Sequence, residues 1–386
     1  MTSSLFSRLA PASSDPIFAI AAEAKAAGAG VIDATVGMML DETGEPFALP
    51  CVRDAFKELT RQYEKSDFAY PSLLGESAFR SATIRLIFGD QSQNVASIAT
   101  TGGTGAVMLN LKLLKLLQIS DIIMPVPTWP NHRRLISSLG FSVREVSYLK
   151  RGNPSIHAIT EALSTASAPC ALLLQVCGHN PTGKDFKTTQ WQELTAFLRD
   201  KDHMILLDFA YQGLAQGIEE DAEPIRLLRS AGVPLLVAWS ASKNHTIYGL
   251  RTGLACAVAG DSGQKDELEQ HFKILTREVH SAAPVTGQQI VALVQERFQD
   301  QWRVELAGAQ EDIHRKRARL LQAFPVWSPA LEGTGLYTRL PLSSDQIAAL
   351  KRAKVFLLDD GRINIAGIST GRMEEFIEKC KRSIAS

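Results

Sequence analysis

A lysine placed just beyond a buried strand calls for a chemical reason. Lys243 lies in SASKNHTIYGLRTG (residues 240–253), directly after the apolar run VPLLVAW, with Ser240 and Ser242 beside it and Arg251 eight residues on. Other apolar runs end in polar residues of the same kind. VASIA leads to Gly102, Gly103 and Thr104 in TTGGTGAV, and DIIM leads to Trp129 in PVPTWPNH. ALLL leads to Asn180 in QVCGHNPTG, and MILL leads to Asp208 and Tyr211 in DFAYQG. Taken singly, each has an ordinary reading: a solvated lysine, a helix-capping aspartate, a core tryptophan, a glycine turn. Their joint occurrence at successive strand ends sets them apart.

The chemistry follows from the residue types. Glycines between a strand and a helix let backbone N–H groups approach an anion, and a helix N-terminus favours phosphate. No Gly-Lys-Ser/Thr follows and the pattern is not G-x-G-x-x-G, so nucleotide binding is disfavoured. Ser240, Ser242 and Arg251 would add hydroxyl and guanidinium contacts to the same phosphate. A lysine beside a phosphate, with a carboxylate and a flat aromatic at hand, suits pyridoxal 5′-phosphate. Lys243 would bond its aldehyde, Asp208 would keep the ring nitrogen protonated, and Trp129 would stack on the ring.

Positioning these groups takes a particular architecture. Runs at 95–99, 121–124, 141–143, 171–174, 204–207 and 233–239 are apolar without alternation and are separated by amphipathic helices, which predicts a mostly parallel sheet covered on both faces. Ligands bind such sheets beyond the carboxyl ends of the strands. Helices are predicted over 108–117, from about 133, and over TTQWQELTAFLRD with Thr188 or Thr189 as N-cap. After about residue 285 the pattern changes to a long charged helix through QEDIHRKRARLLQAF. A smaller α+β region follows, with strands near 336–339 and 363–366.

Bulk properties narrow the class. The 386 residues are 45% hydrophobic and 21% charged, with 41 Lys+Arg against 41 Asp+Glu. Zero net charge argues against a general affinity for nucleic acid or anionic membrane. No apolar stretch reaches transmembrane length. Five cysteines without a C-x-x-C pair read as reduced thiols of a cytoplasmic protein, with no metal site.

At this point the motifs resemble a known family, the fold-type I, class I pyridoxal-phosphate aminotransferases of the aspartate/aromatic group. DPIF resembles the family's N-terminal arm motif, which disfavours a transit peptide. VGMMLDETGEPF resembles the loop whose glycine, here Gly37, lies against the substrate. AYPSLLGE resembles the segment whose tyrosine, here Tyr70, reaches the neighbouring subunit's cofactor phosphate. GGTGA, PTWPNH, HNPTG, DFAYQG, SASKN with YGLRTG, and GRINIAG follow in family order. The resemblance implies an arm at 1–14, a small domain from 15–45 and 311–386, and a large cofactor domain at 46–310. It also implies a homodimer with shared sites.

Carried over residue by residue, the resemblance gives each group a role. Lys243 bonds the cofactor and then moves the proton at the substrate α-carbon. Asp208 pairs with the ring nitrogen, supported by His132. Tyr211 and Asn180 hydrogen-bond the cofactor's ring oxygen. Gly102, Gly103, Thr104, Ser240, Ser242 and Arg251 hold the phosphate, with Tyr70 from the partner. Arg362 takes the substrate α-carboxylate as a bidentate pair, with Gly37, Trp129 and Asn180 nearby. Arg277 meets a distal carboxylate across the dimer. The implied reaction is ping-pong exchange of an amino group between an L-amino acid and a 2-oxo acid such as 2-oxoglutarate.

Some positions depart from the family pattern. Gly102 stands where many relatives carry serine, Ala69 replaces an asparagine, Gln175 stands for histidine, and Ala282 with Ala283 replaces Asn-Pro. Residues 38–40 are apolar. Apolar walls favour an aromatic side chain, while Arg277 favours a dicarboxylate, so dual use is expected. Two other readings compete. A lyase or decarboxylase on the same fold shares the lysine and aspartate. A ligand-sensing regulator would need a DNA-binding domain, for which the chain has no room.

Overall fold

The computed structural model describes residues 5–9, 16–166 and 169–384; most of the expected arm at 1–14 therefore lies outside the described residues. The centre is a sheet of seven strands: β1 (Val95–Thr101), β2 (Asp121–Val126), β3 (Ser142–Ser147), β4 (Ala171–Gln175), β5 (Met204–Phe209), β6 (Leu235–Ser240) and β7 (Thr252–Val258), in the order β1-β7-β6-β5-β4-β2-β3. Pairings across β3-β2-β4-β5-β6 are parallel, and β7 runs antiparallel to both its neighbours.

The lack of alternation in these strands has a direct cause. Leu172, Leu174, Ile205, Leu207, Val237 and Trp239 point into one core. The residues between them, Ala171, Leu173, Leu206, Leu236 and Ala238, point into a second core on the other face. Both faces are covered, so both residue sets must be apolar. The mostly parallel α/β sheet read from the sequence is present.

Helix boundaries differ from the sequence reading in ways that matter. The first helix after β1 is Gly102–Leu116, six residues earlier than expected, so the glycines form its first turn rather than a loop before it. The helix after β2 is Pro130–Ser138, with proline at its start, where a missing N–H is harmless. This places His132 in the first turn. The helix Thr188–Leu198 is capped by Lys187, not by a threonine; Gln190 Oε1 accepts the Lys187 N–H at 3.0 Å. The long charged helix spans Gln299–Ala323.

A third core joins the two ends of the chain. Ile32 and Ala34 pack with Phe324, Trp327, Val355, Ile363, Phe376 and Ile377. Ile32–Asp33 pairs parallel with Val355–Phe356, and Tyr337–Arg339 pairs antiparallel with Arg362–Asn364. That second ribbon carries Arg362 to the rim of the large sheet. No helix among the described residues is long and apolar enough to cross a membrane.

Candidate active site

The sheet's antiparallel strand answers the question raised by Lys243 and Arg251. Because β7 runs against β6, its beginning lies on the same edge as the ends of the parallel strands. The register pairs Gly253 with Ser240 and Thr252 with Thr101. The chain leaves β6 at Ser240, turns through Lys243 and re-enters at Arg251, beside the glycine turn. Arg251 sits at φ 50°, a left-handed conformation that costs a non-glycine residue energy and is held by its surroundings.

Along this edge lies a cavity of about 200 Å³ lined by Gly37, Gly103, Thr104, Trp129, Gln175, Asn180, Asp208, Tyr211, Ser240, Ser242, Lys243, Arg251, Tyr337 and Arg362, among others. Most of the expected residues therefore face one space. Gly102 stands at its edge, at φ +71°, and a Cβ built there would come within 2.6 Å of the Arg251 guanidinium. A side chain at this position would require the Arg251 guanidinium to shift. Tyr70 is fully exposed on the surface, and Arg277 is exposed, donating to Ser281 Oγ at 3.0 Å. Neither reaches its own chain's cavity. A larger cavity of about 650 Å³, lined by Asp185, Asp221 and Cys177, contains none of the expected residues.

The phosphate end is a set of donors. Ser240 Oγ lies 3.1 Å from Ser242 Oγ, and Arg251 Nη1 donates to Ser242 Oγ at 3.3 Å and to the Tyr248 carbonyl at 3.0 Å. The start of helix Gly102–Leu116 adds free backbone N–H groups.

Behind the cavity runs a buried polar chain. Gln175 Nε2 donates to Thr128 Oγ1 at 3.0 Å, Thr128 Oγ1 meets His132 Nδ1 at 2.9 Å, and His132 Nε2 meets Asp208 Oδ2 at 2.9 Å. Every group is satisfied when Thr128 gives its proton to Nδ1 and Nε2–H donates to the carboxylate. Asp208 keeps its other oxygen for the cavity. Gln175 also braces Asn180 from both sides, donating to its carbonyl and accepting its N–H, each at 2.9 Å.

Arg362 forms the other wall. Nη1 donates to Asn180 Oδ1 at 3.3 Å and Nη2 to the Thr35 carbonyl at 3.1 Å, while Nε is buried without a partner. No carboxylate pairs with Arg362, Arg251 or Lys243 among the described residues. Burial pushes the Lys243 amine down to about 8, with Arg251 adding to the effect and Asp208 opposing it. Burial likewise raises Tyr211. The site thus holds three cationic groups against one carboxylate. It is built for a ligand, or pair of ligands, with anions at two places.

Comparison with known proteins decides the family. A family model described as "Aminotransferase class I and II" matches residues 29–379. The chain belongs to the class I and II aminotransferases. It is 31% identical to the mitochondrial aspartate aminotransferase of Schizosaccharomyces pombe, over 94% of this chain and 87% of that one. It is 30% identical to the aromatic-amino-acid aminotransferase of Paracoccus denitrificans, over 95% and 96% of the two chains. Among solved structures it superposes with TM-score 0.92 and 26% identity on the aromatic-amino-acid aminotransferase of Burkholderia pseudomallei covalently bound to pyridoxal phosphate, covering 99% of this chain and 100% of that one.

This aminotransferase uses pyridoxal phosphate, and its residues fit that group. The Arg251–Gly102 cradle leaves space that a side chain would fill, and the donors around it suit a phosphate. Lys243 is the amine facing the cavity, and Asp208 is the carboxylate. The sequence reading missed Tyr337, which lies between Tyr211 and Arg362; nothing in its local motif marks it. It named Gln175 only as a departure, without its brace on Asn180. The polar residues that end β4 were the available signal.

Proposed function

We propose that this aminotransferase exchanges amino groups between aromatic or dicarboxylic L-amino acids and a dicarboxylic 2-oxo acid, in a homodimer whose sites are shared. The observation that carries the reading is Arg362, a buried guanidinium with an unpartnered Nε and no carboxylate, set in the same cavity as Lys243 and Asp208. A planar cation so placed takes an α-carboxylate.

Each residue then has a task. Gly103, Thr104, Ser240, Ser242 and Arg251 hold the cofactor phosphate, with Gly102 leaving room for Arg251. Trp129 covers the ring face. Asp208, fixed by His132, holds a proton on the ring nitrogen. Bound there, the cofactor supplies a protonated ring that withdraws electrons from the substrate α-carbon. Tyr211 and Asn180 hydrogen-bond its ring oxygen. Lys243 carries the cofactor when no substrate is present and moves the proton at the α-carbon. An amine pushed to about 8 keeps a usable neutral fraction near neutral pH.

The chain divides, in this reading, into an arm at 1–14, a small domain from 15–45 and 311–386, and a large domain at 46–310. Tyr70 and Arg277 act in the partner's site. Their exposure, with that of Phe68 and Phe18, supports this. Names of relatives point both ways on substrate, since aspartate and aromatic-amino-acid aminotransferases match at 31% and 30% identity. Met38 and Met39 follow Gly37 but do not line the Lys243 cavity; Met39 is buried and, with Leu40, lines a separate one, so only Arg277 speaks to the side-chain pocket, by charge. A cytoplasmic setting is supported by five free, buried cysteines.

The test is Arg277→Leu. A charge-assisted contact to a distal carboxylate is worth roughly 2–5 kcal/mol when truncated. Catalytic efficiency for aspartate should therefore fall about a hundredfold or more, and that for phenylalanine should hold or rise. Equal small losses for both substrates would reject the dual-substrate reading.

A further inference from the structure

Gln175 is the last residue of β4, and the register sets it directly opposite Asp208 on β5. Side chains at paired positions leave a sheet on the same face, so the amide and the carboxylate stand behind one cavity, which both line. Gln175 is buried, and both ends of its carboxamide are held by one backbone residue. Its Oε1 accepts the Asn180 N–H and its Nε2 donates to the Asn180 carbonyl, each at 2.9 Å. A backbone N–H only donates and a carbonyl only accepts, so the amide stands one way round.

The remaining N–H of Gln175 is aimed at Thr128 Oγ1, 3.0 Å away. The same oxygen is 2.9 Å from His132 Nδ1, and His132 Nε2 is 2.9 Å from Asp208 Oδ2. An amide N–H is a donor, so Thr128 accepts on that side. Its own proton then goes to its other neighbour, Nδ1, which must be bare to take it. The ring proton is left on Nε2, where it donates to the carboxylate. The reverse arrangement, with the proton on Nδ1, offers the Thr128 hydroxyl proton neither neighbour as an acceptor. It also turns a bare Nε2 toward the Asp208 carboxylate, lone pair against lone pair.

We propose that Gln175 is a positioning residue that sets the direction of this chain: fixed on the Asn180 backbone, it obliges Thr128 to donate to His132 and so holds His132 as the Nε2–H tautomer that donates to Asp208. The residue type matters. In the family pattern this position is histidine, and an imidazole nitrogen donates or accepts according to its own protonation. A carboxamide has no such choice and does not titrate. One side chain thereby steadies the residue beside the ring oxygen, Asn180, and directs the residue at the ring nitrogen, Asp208. Among titratable groups, Asp208 bonds the His132 ring and His179 stands near it. Burial, with His132 second, pushes His179 down to about 3, so it adds no charge near neutral pH.

The value of this arrangement for turnover rests on the proposed role of Asp208, but its test reads the proton directly. Long-range proton–nitrogen NMR of the pyridoxal-phosphate-loaded enzyme, with isotope-labelled histidine rings, gives the tautomer at neutral pH; loss of signals in His132→Asn assigns them. The parent should carry its ring proton on Nε2, with Nδ1 bare and shifted by an accepted hydrogen bond. Thr128→Val should move Nδ1 to the resonance of a free imine nitrogen. Gln175→Met, close in length but without a donor, should move it part of the way, because the Thr128 hydroxyl is no longer directed. The double variant should match Thr128→Val alone, since Gln175 acts through Thr128. A parent ring with its proton on Nδ1 overturns the inference without need of a variant. So does an Nδ1 resonance left unmoved by Gln175→Met, or one that Gln175→Met shifts just as far when residue 128 is valine. Parental turnover in Asp208→Ala would instead remove the proposed role of Asp208 and leave the tautomer assignment standing.

Discussion

The carboxylate of Asp208 lies 2.9 Å from Nε2 of His132, and both side chains are buried at the end of the same parallel sheet. One carboxylate oxygen is thereby committed to the histidine and the other faces the cavity. Asp208→Ala should lower turnover about a hundredfold or more, the scale of losing a preorganised electrostatic contact. His132→Ala should cost less, because it orients the carboxylate without touching the ring. A cofactor analogue with a permanent charge on the ring nitrogen should restore part of the Asp208→Ala activity. Parental activity in Asp208→Ala would contradict the assignment.

Gly102 separates shape from charge. Gly102→Ala places a methyl against Arg251 and adds the strain of φ +71°. Gly140 has a similar φ of +66° with nothing within 4 Å of a built Cβ, so Gly140→Ala carries the strain alone. Each should lose about 1–2 kcal/mol of stability from the backbone. Only Gly102→Ala should also weaken cofactor binding, by about tenfold or more. Equal cofactor affinity in the two variants would show that Arg251 is not held for the phosphate.

Lys243 links the site to the pH dependence of stability. In the cofactor-free protein its amine titrates near 8, against about 10.4 unfolded. Between these values the unfolded state binds more protons, so stability rises with pH through this window, and below it the buried charge is a full cost. Lys243→Met should therefore be more stable than the parent at pH 7, by about 2–3 kcal/mol at most. That advantage should shrink as the pH rises toward 10. A difference that does not change with pH, measured by denaturant unfolding of both cofactor-free proteins, would rule this out.

Shared sites make a distinct prediction. Lys243→Ala lacks the reacting amine but carries Arg277; Arg277→Leu carries the amine but lacks the distal cation. Each alone should turn aspartate over poorly. Co-refolding the two should restore aspartate activity, since the mixed dimer holds one complete site. No gain on mixing would mean that Arg277 serves its own chain or none.

Much of this was legible because both faces of the sheet are buried. Residues such as Leu172, Leu173 and Leu174 read as strand from composition alone, and a parallel sheet fixes where the ligand edge must be. Lys243 and Arg251 were legible as a pair, but the reason they meet was not. It depends on β7 running antiparallel, a pairing between residues distant in sequence. Tyr337 was invisible for the same reason. Its neighbours Tyr211, Gly37 and Arg362 come from separate segments, and a lone tyrosine at the start of a short strand carries no local signal. The early start of helix Gly102–Leu116 escaped notice because glycines seldom begin a helical pattern, yet here Gly102 leaves room for the Arg251 guanidinium.

The most direct test of the central claim is a single-turnover experiment. Enzyme loaded with pyridoxal phosphate is mixed with excess aspartate or phenylalanine and no 2-oxo acid, and the visible absorbance and released products are followed together. The account predicts loss of the cofactor's aldehyde-form absorbance, release of one equivalent of the matching 2-oxo acid per site, and recovery of the absorbance on adding 2-oxoglutarate. Lys243→Ala should show none of this. Continuous release of ammonia or carbon dioxide, with no arrest after one equivalent, would contradict the account and point to lyase or decarboxylase chemistry in the same cavity.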